Sequence, residues 1–321
     1  MRSSELNALF RGIDNTFQVY SNHVIDKLGS KEDLVPPEPV LTRYKKEAGI
    51  KAFVKKELFD PRMSDERRSS EINVFTTPTL CVQLNTLHLL ILGRAEELVS
   101  FIGKSVDEKS KVTQKDTFDG SRKEINAAID RICEFTGTKI IFWDLREPFI
   151  DHLYKPSVSR SRLEAIIEPL DMELNQLCDV IVEALRDRIV TSLLQASLDG
   201  LLRVLLNGGP SRVFFPSDAK QLEEDLEILK EFFISGGDGL PRGVVENQVA
   251  RARSVVKLHG YETRELIEEC RSGSGADLQG SSTRGRLGAD TDTLIRILCH
   301  RSDSEASQFL KKQYKIPKST A

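Results

Sequence analysis

The chain is short of the residues that mark most special protein classes. Only 7% of its 321 residues are aromatic, with one tryptophan, and glycine and proline number 20 and 12. With 39% hydrophobic residues, this excludes collagen-like and low-complexity chains and leaves a globular protein of one to three domains. The five cysteines, Cys81, Cys133, Cys178, Cys270 and Cys299, are odd in number and widely spaced. They suit neither a disulfide framework nor a zinc knuckle and read as inert thiols. Purely apolar runs are short, as at 89–92 and 140–143, against the roughly 20 residues that span a bilayer. The first residues lead into an amphipathic stretch and not an apolar signal core. A cytoplasmic protein is expected.

A dominant charge is also lacking: 46 basic residues face 49 acidic ones, for a net −3. The balance is uneven, +4 from Arg271 onward and −7 before it. The basic tail reads as solvated surface with at most weak peripheral contact with an anionic membrane. No basic, aromatic-interleaved stripe is present, and no nucleic-acid partner is expected.

Helical periodicity is abundant. Leu6, Phe10, Ile13, Phe17, Tyr20 and Val24 recur every three or four residues. So do Leu80, Leu84, Leu87, Ile91, Leu98 and Ile102; Leu163, Ile167, Leu170, Leu174, Leu177 and Ile181; and Leu194, Leu198, Leu201 and Leu205. The sets Leu222, Leu226, Leu229, Phe233 and Val245, Val249, Ala252, Val256 complete six stripes of an all-α protein. Gly29 and Ser30 close the first helix, and Val35 to Pro39 make an extended connector. Ser217 and Asp218 start the Leu222 helix, Gly236 and Gly237 end it, and Pro241 starts the next. Residues 160–207 are interrupted only by Pro169 and the weak Gly200. As one kinked helix these 48 residues extend roughly 70 Å, which favours an elongated rod of stacked bundles. Residues 139–143 could be a buried strand, but Ile141, Leu145, Phe149 and Leu153 are spaced by four, which favours helix. The expected divisions are a helical bundle over 1–155, a second bundle over 156–270, a flexible Gly/Ser-rich loop over 271–291, and a short helix with a basic tail over 292–321.

The chemical motifs are near misses. Gly103, Lys104 and Ser105 resemble the end of a phosphate loop, but Leu98 stands where its first glycine is needed. Gly273, Ser274 and Gly275 have Leu278 in place of a third glycine and no preceding strand, and read as linker. His23, His88, His152, His259 and His300 lie apart. His23/Asp26, His259/Glu262 and His300/Asp303 stand three apart, in the reverse of the di-iron order, and read as solvated or capping pairs. His88, between leucines, reads as a buried, hydrogen-bonded side chain. Glu223/Glu224 and Glu268/Glu269 read as solvated, Arg251, Arg253 and Lys257 as a small basic cluster. Phe214 and Phe215 are either an exposed anchor or a staple holding a loop, the staple being favoured. No catalytic, cofactor-binding or metal-ligating residue is assigned, no small-molecule substrate is expected, and the chain reads as a non-enzyme.

Residues 192–246 carry a more specific pattern: a Leu-rich helix through Asp199 and Gly200, a GGP-x-R-x-F turn at 208–214, a DLEILKEFF helix at 225–233 and a GDGLP turn at 237–241. This block resembles the second Munc homology domain of the Munc-thirteen-like vesicle-priming proteins. Residues 3–28, 40–60 and 124–156 resemble the plant branch, named for control of proton-ATPase translocation. The resemblance implies a rod-like MUN domain that bridges vesicle and target membrane without catalysis. Its implied partners are SNARE proteins and exocyst-type tethers, its implied cargo plasma-membrane proteins such as a proton pump. Its implied place is the cytoplasm, peripherally on vesicles, endosomes and the plasma membrane. The family's chains are longer, the first Munc homology domain is incomplete in 2–155, and the calcium- and lipid-binding modules of animal relatives have no counterpart in these residues. No partner-contact residue carries over.

Overall fold

The computed structural model describes residues 3–38, 72, 74–93, 97, 100, 118–159, 161–276 and 286–316. The described residues are helical and contain no strand. The α-helices are α1 (Ser3–Leu28), α2 (Thr77–Thr86), α3 (Asp119–Lys139), α4 (Glu164–Val180), α5 (Glu183–Asn207), α6 (Ala219–Ile234), α7 (Arg242–His259), α8 (Thr263–Ala276), α9 (Thr291–Cys299) and α10 (Ser304–Tyr314). Widened π-helical turns continue α2 over Leu87–Gly93 and α3 over Ile140–Asp144 and Arg146–His152. Residues 139–143 are thus helical, as their spacing favours.

The chain forms two compact units interleaved in sequence. Unit 1 comprises Met1–Val35, Phe75–Trp143 and Met172–Leu193; unit 2 comprises Pro36–Val74, Asp144–Asp171 and Leu194–Ala321.

Unit 1 packs α1 and α2 against α3. Phe10 meets Phe118 edge-on at 5.7 Å, and Phe17 approaches the same ring at 6.5 Å. The Asp14 carboxylate accepts the Ser121 amide N–H (3.1 Å) and its hydroxyl, so a residue of α1 caps the start of α3. Gly137 lies where an added Cβ would sit 2.6 Å from the Ser192 carbonyl, so α3 and α5 touch backbone to backbone. Tyr20, expected in the core stripe, is 42% exposed.

Unit 2 packs α6 against α7, and α8 with α9 and α10. Every member of the Leu222 and Val245 stripes is buried, each such side chain stabilising by about 1.5–3 kcal/mol at most. Ser235 and Gly236 take left-handed conformations (φ 46° and 64°) at the end of α6, and Pro241 precedes the first turn of α7. Gly239 has no room for a Cβ, which would fall 2.2 Å from the Phe233 carbonyl.

Four expectations are corrected. Residues 160–207 are two helices, not one, and Pro169 lies inside α4 while the break falls at Ile181 and Val182. The premise of the 70 Å length is therefore not met. Proline removes one donor without ending α4, whereas the break is held from outside: Asn85 Nδ2 donates to the Val180 carbonyl (2.7 Å) and its Oδ1 accepts the Val182 N–H (2.9 Å). Asp218 does not cap α6 with its side chain, which turns back to accept the Phe215 N–H at 2.8 Å. The stretch taken as linker from 271 is helix up to Ala276; 277–285 lie outside the described residues. The last helix is two, because Asp290 caps α9 and Asp303 caps α10.

Helix α5 has an 18-residue window apolar enough to cross a membrane, but 72% of that window is buried within the protein. It is a core helix by packing.

Candidate functional site

The residues that distinguish 192–246 converge in unit 2. The turn at 208–214 is tight because Gly208 must lack a Cβ, which would sit 2.3 Å from the Val204 carbonyl and 2.6 Å from Arg212 Cδ. This geometry sends Arg212 inward, only 4% exposed. Its Nε donates to the Leu153 carbonyl (2.7 Å), Nη1 to Gly208 (2.6 Å) and Nη2 to Ile150 (2.6 Å). All three partners are neutral, so burial pulls its pKa down to about 10, the Asp151 charge opposing.

Two residues on, Phe214 is buried among rings: Tyr154 at 5.9 Å, His259 at 4.9 Å and His300 at 5.8 Å. Its N–H donates to the His300 carbonyl (3.0 Å). Its own carbonyl accepts from Arg301 Nη1 (3.2 Å), while Arg301 Nη2 reaches the carbonyls of His259 (2.6 Å) and Tyr261 (3.0 Å). Phe214 is therefore the staple, and Phe215, 52% exposed, is not part of it.

His259 and His300, expected in solvated or capping pairs, are 0% and 4% exposed. His300 Nδ1 lies 2.8 Å from the Arg296 carbonyl, an acceptor only, so Nδ1 carries the hydrogen and Nε2 is an unmet acceptor. Neither ring nitrogen of His259 has a well-aligned partner. Burial brings His300 down to about 4 and lowers His259 well below the ordinary imidazole value, the neighbouring His300 and Arg301 adding to the effect on His259. Both are neutral at pH 7.

Asp225, from the DLEILKEFF helix, is fully buried. It accepts from Tyr154 Oη (2.9 Å) and from Arg162 Nη2 (2.6 Å). Burial first, and then the Asp225 charge, raise the Tyr154 pKa; the hydrogen bond to Asp225 raises that of Arg162. On the outer side of α6 and α7, Arg253 binds Glu223 (3.2 Å), Glu227 (2.6 Å) and Glu246 (3.0 Å). Lys230 joins Glu227 and Glu246. Glu223, expected on a solvated face, and Arg253, expected in a small basic cluster, are thus paired with each other at partly exposed positions.

These groups are closed off. His259, His300, Arg212 and Asp225 meet main-chain carbonyls, rings or one another, and their arrangement holds segments together without presenting a nucleophile or a poised base to an opening. The described residues contain no group of three metal-ligating side chains. A cleft of about 260 Å³ in unit 1, lined by Gly29, Ser30, Lys31, Glu32, Arg131, Glu134 and Phe135, is partly bridged by the Lys31–Glu134 ion pair at 2.7 Å. The five cysteines are free. Burial raises the thiols of Cys81, Cys133 and Cys270 to about 11, 12 and 12, which keeps them protonated and inert. His88 is half-exposed, not buried as expected. Gly103, Lys104 and Ser105 lie outside the described residues; Gly273, Ser274 and Gly275 fall in α8, not in a loop.

Sequence reasoning missed Arg212, His259, His300 and Arg301 as one cluster. Arg212 sits inside the GGP-x-R-x-F pattern and so carried a signal; the other three are linked to it only through tertiary packing. The outward surface differs from expectation at Tyr20 of α1, which is 42% exposed; Leu9 and Val19, outside the expected stripe, are 51% and 59% exposed.

In comparison with known proteins, residues 1–320 match the family described as PATROL1-like, TPR repeats. The matching description is one of helical repeats and not of a MUN domain. The chain is similar to a protein of Arabidopsis thaliana named "Protein unc-13 homolog", with 70% identity over 334 residues that take in 99% of this chain and 30% of that protein. It thus spans about 30% of the length of the curated relative it matches. No solved structure matches it.

Proposed function

The chain belongs to the PATROL1-like family, and from that premise we propose that it is a non-enzymatic trafficking factor that captures helical segments of SNARE or exocyst-type tethering proteins. In this reading it promotes exocytic delivery of plasma-membrane proteins, a proton pump among them, from the cytoplasmic side of vesicles, endosomes and the plasma membrane. The relative's name, an unc-13 homologue, supports a trafficking role. Binding, not bond-breaking, is the task.

The observation that carries the reading is the outer face of α1. Leu9, Thr16 and Tyr20 fall on one side of the helix at spacings near whole turns. Gly12 lies between them with nothing within 4 Å of where a Cβ would be. All four are exposed, and the strip holds no charged side chain between Leu9 and Tyr20. A row of apolar and small residues at helical spacing suits a second amphipathic helix. Exposed Lys311, Lys312 and Lys315 on and beside α10 would add a weak, salt-sensitive contact with anionic lipid.

The test is a pull-down of the purified chain with plasma-membrane SNARE helices and exocyst-type tethers at low and high salt. Saturable binding that persists at high salt is expected, together with a loss of about tenfold or more in Leu9→Glu/Tyr20→Glu, whose substitutions are on the surface. Absence of binding by the folded, helical chain overturns the reading. In that event the reading becomes a helical scaffold without priming activity.

A further inference from the structure

The turn at 208–214 is tied by two guanidiniums that donate to main-chain carbonyls and not to a carboxylate; the buried Asp225 carboxylate behind Tyr154, which also packs on Phe214, is bound to Tyr154 and Arg162. On one side of Phe214 stand His259 from the end of α7 and His300 from the segment after α9, both against its ring. On the other, the peptide groups of the turn are tied by Arg301 and by Arg212. The charged and titratable groups facing His259 are His300 and Arg301; the one facing His300 is Arg212. The carboxylates near enough to matter act on the arginines and at longer range: Asp303, Glu262 and Asp218 on Arg301, and Asp151 on Arg212. Helix α5 turns the Leu205 backbone toward His259, and α9 the Arg296 carbonyl toward His300.

We propose that the His259–Phe214–His300 cluster is a proton-operated latch: acidification charges the two buried imidazoles beside Arg212 and Arg301 and releases the 208–214 turn from α7 and from the junction of α9 and α10. A proton added to either ring places a third positive charge in a space with two guanidiniums. His300 then has the Arg296 carbonyl for one N–H and His259 only the imperfectly placed Leu205 carbonyl, while the other N–H of each ring has no partner among the described residues. The strain is relieved by opening, which lets water reach the rings.

The sign follows from linkage. The folded-state values lie below the ordinary imidazole value of about 6.5, so the latch contributes fully above that pH and its contribution is lost as pH falls toward about 4. For His300 alone, lowering the pH from about 7.5 to about 5 moves the closed–open equilibrium about 30-fold toward open. Unit 1 has no counterpart among the described residues, since His23 is exposed and His88 half-exposed.

The experiment is hydrogen exchange of the full chain at pH values of about 7.5 and 5, corrected for intrinsic rates, alongside an NMR titration of the imidazole Cε1–H resonances. Expected are losses of protection of about tenfold or more confined to peptides over 205–216, 255–262 and 294–303, with 119–139 unchanged. His259 and His300 are expected to titrate well below the ordinary imidazole value of about 6.5. In the His259→Asn/His300→Asn chain the pH dependence of those peptides should flatten. Ordinary titration of both histidines, a loss spread evenly over both units, or a pH dependence that survives in the double variant overturns the latch. Should the double variant not fold, the titration and exchange of the unsubstituted chain decide alone.

Discussion

Unit 1 and unit 2 solve the same problem, holding helices together, with different chemistry. In unit 1 α1 and α3 meet through Phe10, Phe17 and Phe118, and the Asp14 carboxylate at their junction faces a helix N-terminus and accepts the Ser121 N–H. In unit 2 the loop segments between helices are held by ionisable side chains drawn into the interior: Arg212 and Arg301 on main-chain carbonyls, Asp225 on Arg162 and Tyr154. The difference teaches where each unit is vulnerable. A helix-on-helix contact loses one side chain's worth of packing when altered. A loop tied through a buried guanidinium loses several hydrogen bonds together and leaves their acceptors dry.

The sharpest way to break the comparison is Arg212→Met, which keeps the apolar stem and deletes the donors for Leu153, Gly208 and Ile150. A loss of about 3–5 kcal/mol in urea unfolding is expected. Asp14→Ala in unit 1 removes a helix cap and should cost about 1 kcal/mol. Equal losses in the two variants would erase the contrast between the units. The smallest effect is expected for Arg253→Ala on the outer side of unit 2. Its three carboxylate partners are partly exposed, so the drop in thermal midpoint should be slight at low salt and fade as NaCl approaches about 1 M. A large, salt-independent loss would place that network with the buried ties.

The helices were legible because their cause is local. Apolar residues every three or four positions mark a buried face wherever the chain supplies a partner, and the Leu222 and Val245 stripes are buried without exception. Gly29, with φ 77°, ends α1 as a glycine there should. What the sequence hid depends on residues distant along the chain. Nothing around Ile181 announces an interruption; the amide that makes it comes from Asn85. Nothing near His259 announces burial, which is imposed by Phe214 and by the segment after α9. The GGP-x-R-x-F pattern drew notice as a resemblance, and its physical content is a missing Cβ at Gly208, an inward guanidinium and a stapling ring. The same pattern gave no hint of a partner-binding residue, because its side chains point inward. The candidate partner face emerged only when Tyr20, assigned by spacing to the core, proved to be exposed.

The interruption between α4 and α5 has a mechanical meaning. A continuous α-helix resists bending because each turn is bonded to the next, and its compliance is spread evenly along its length. Ile181 still donates to the Leu177 carbonyl (2.9 Å), but at Val182 the ladder gives way to two bonds from one side-chain amide. Compliance is therefore concentrated at a point about two residues long, and the torque this segment can carry before yielding is set by how firmly Asn85 itself is seated in α2.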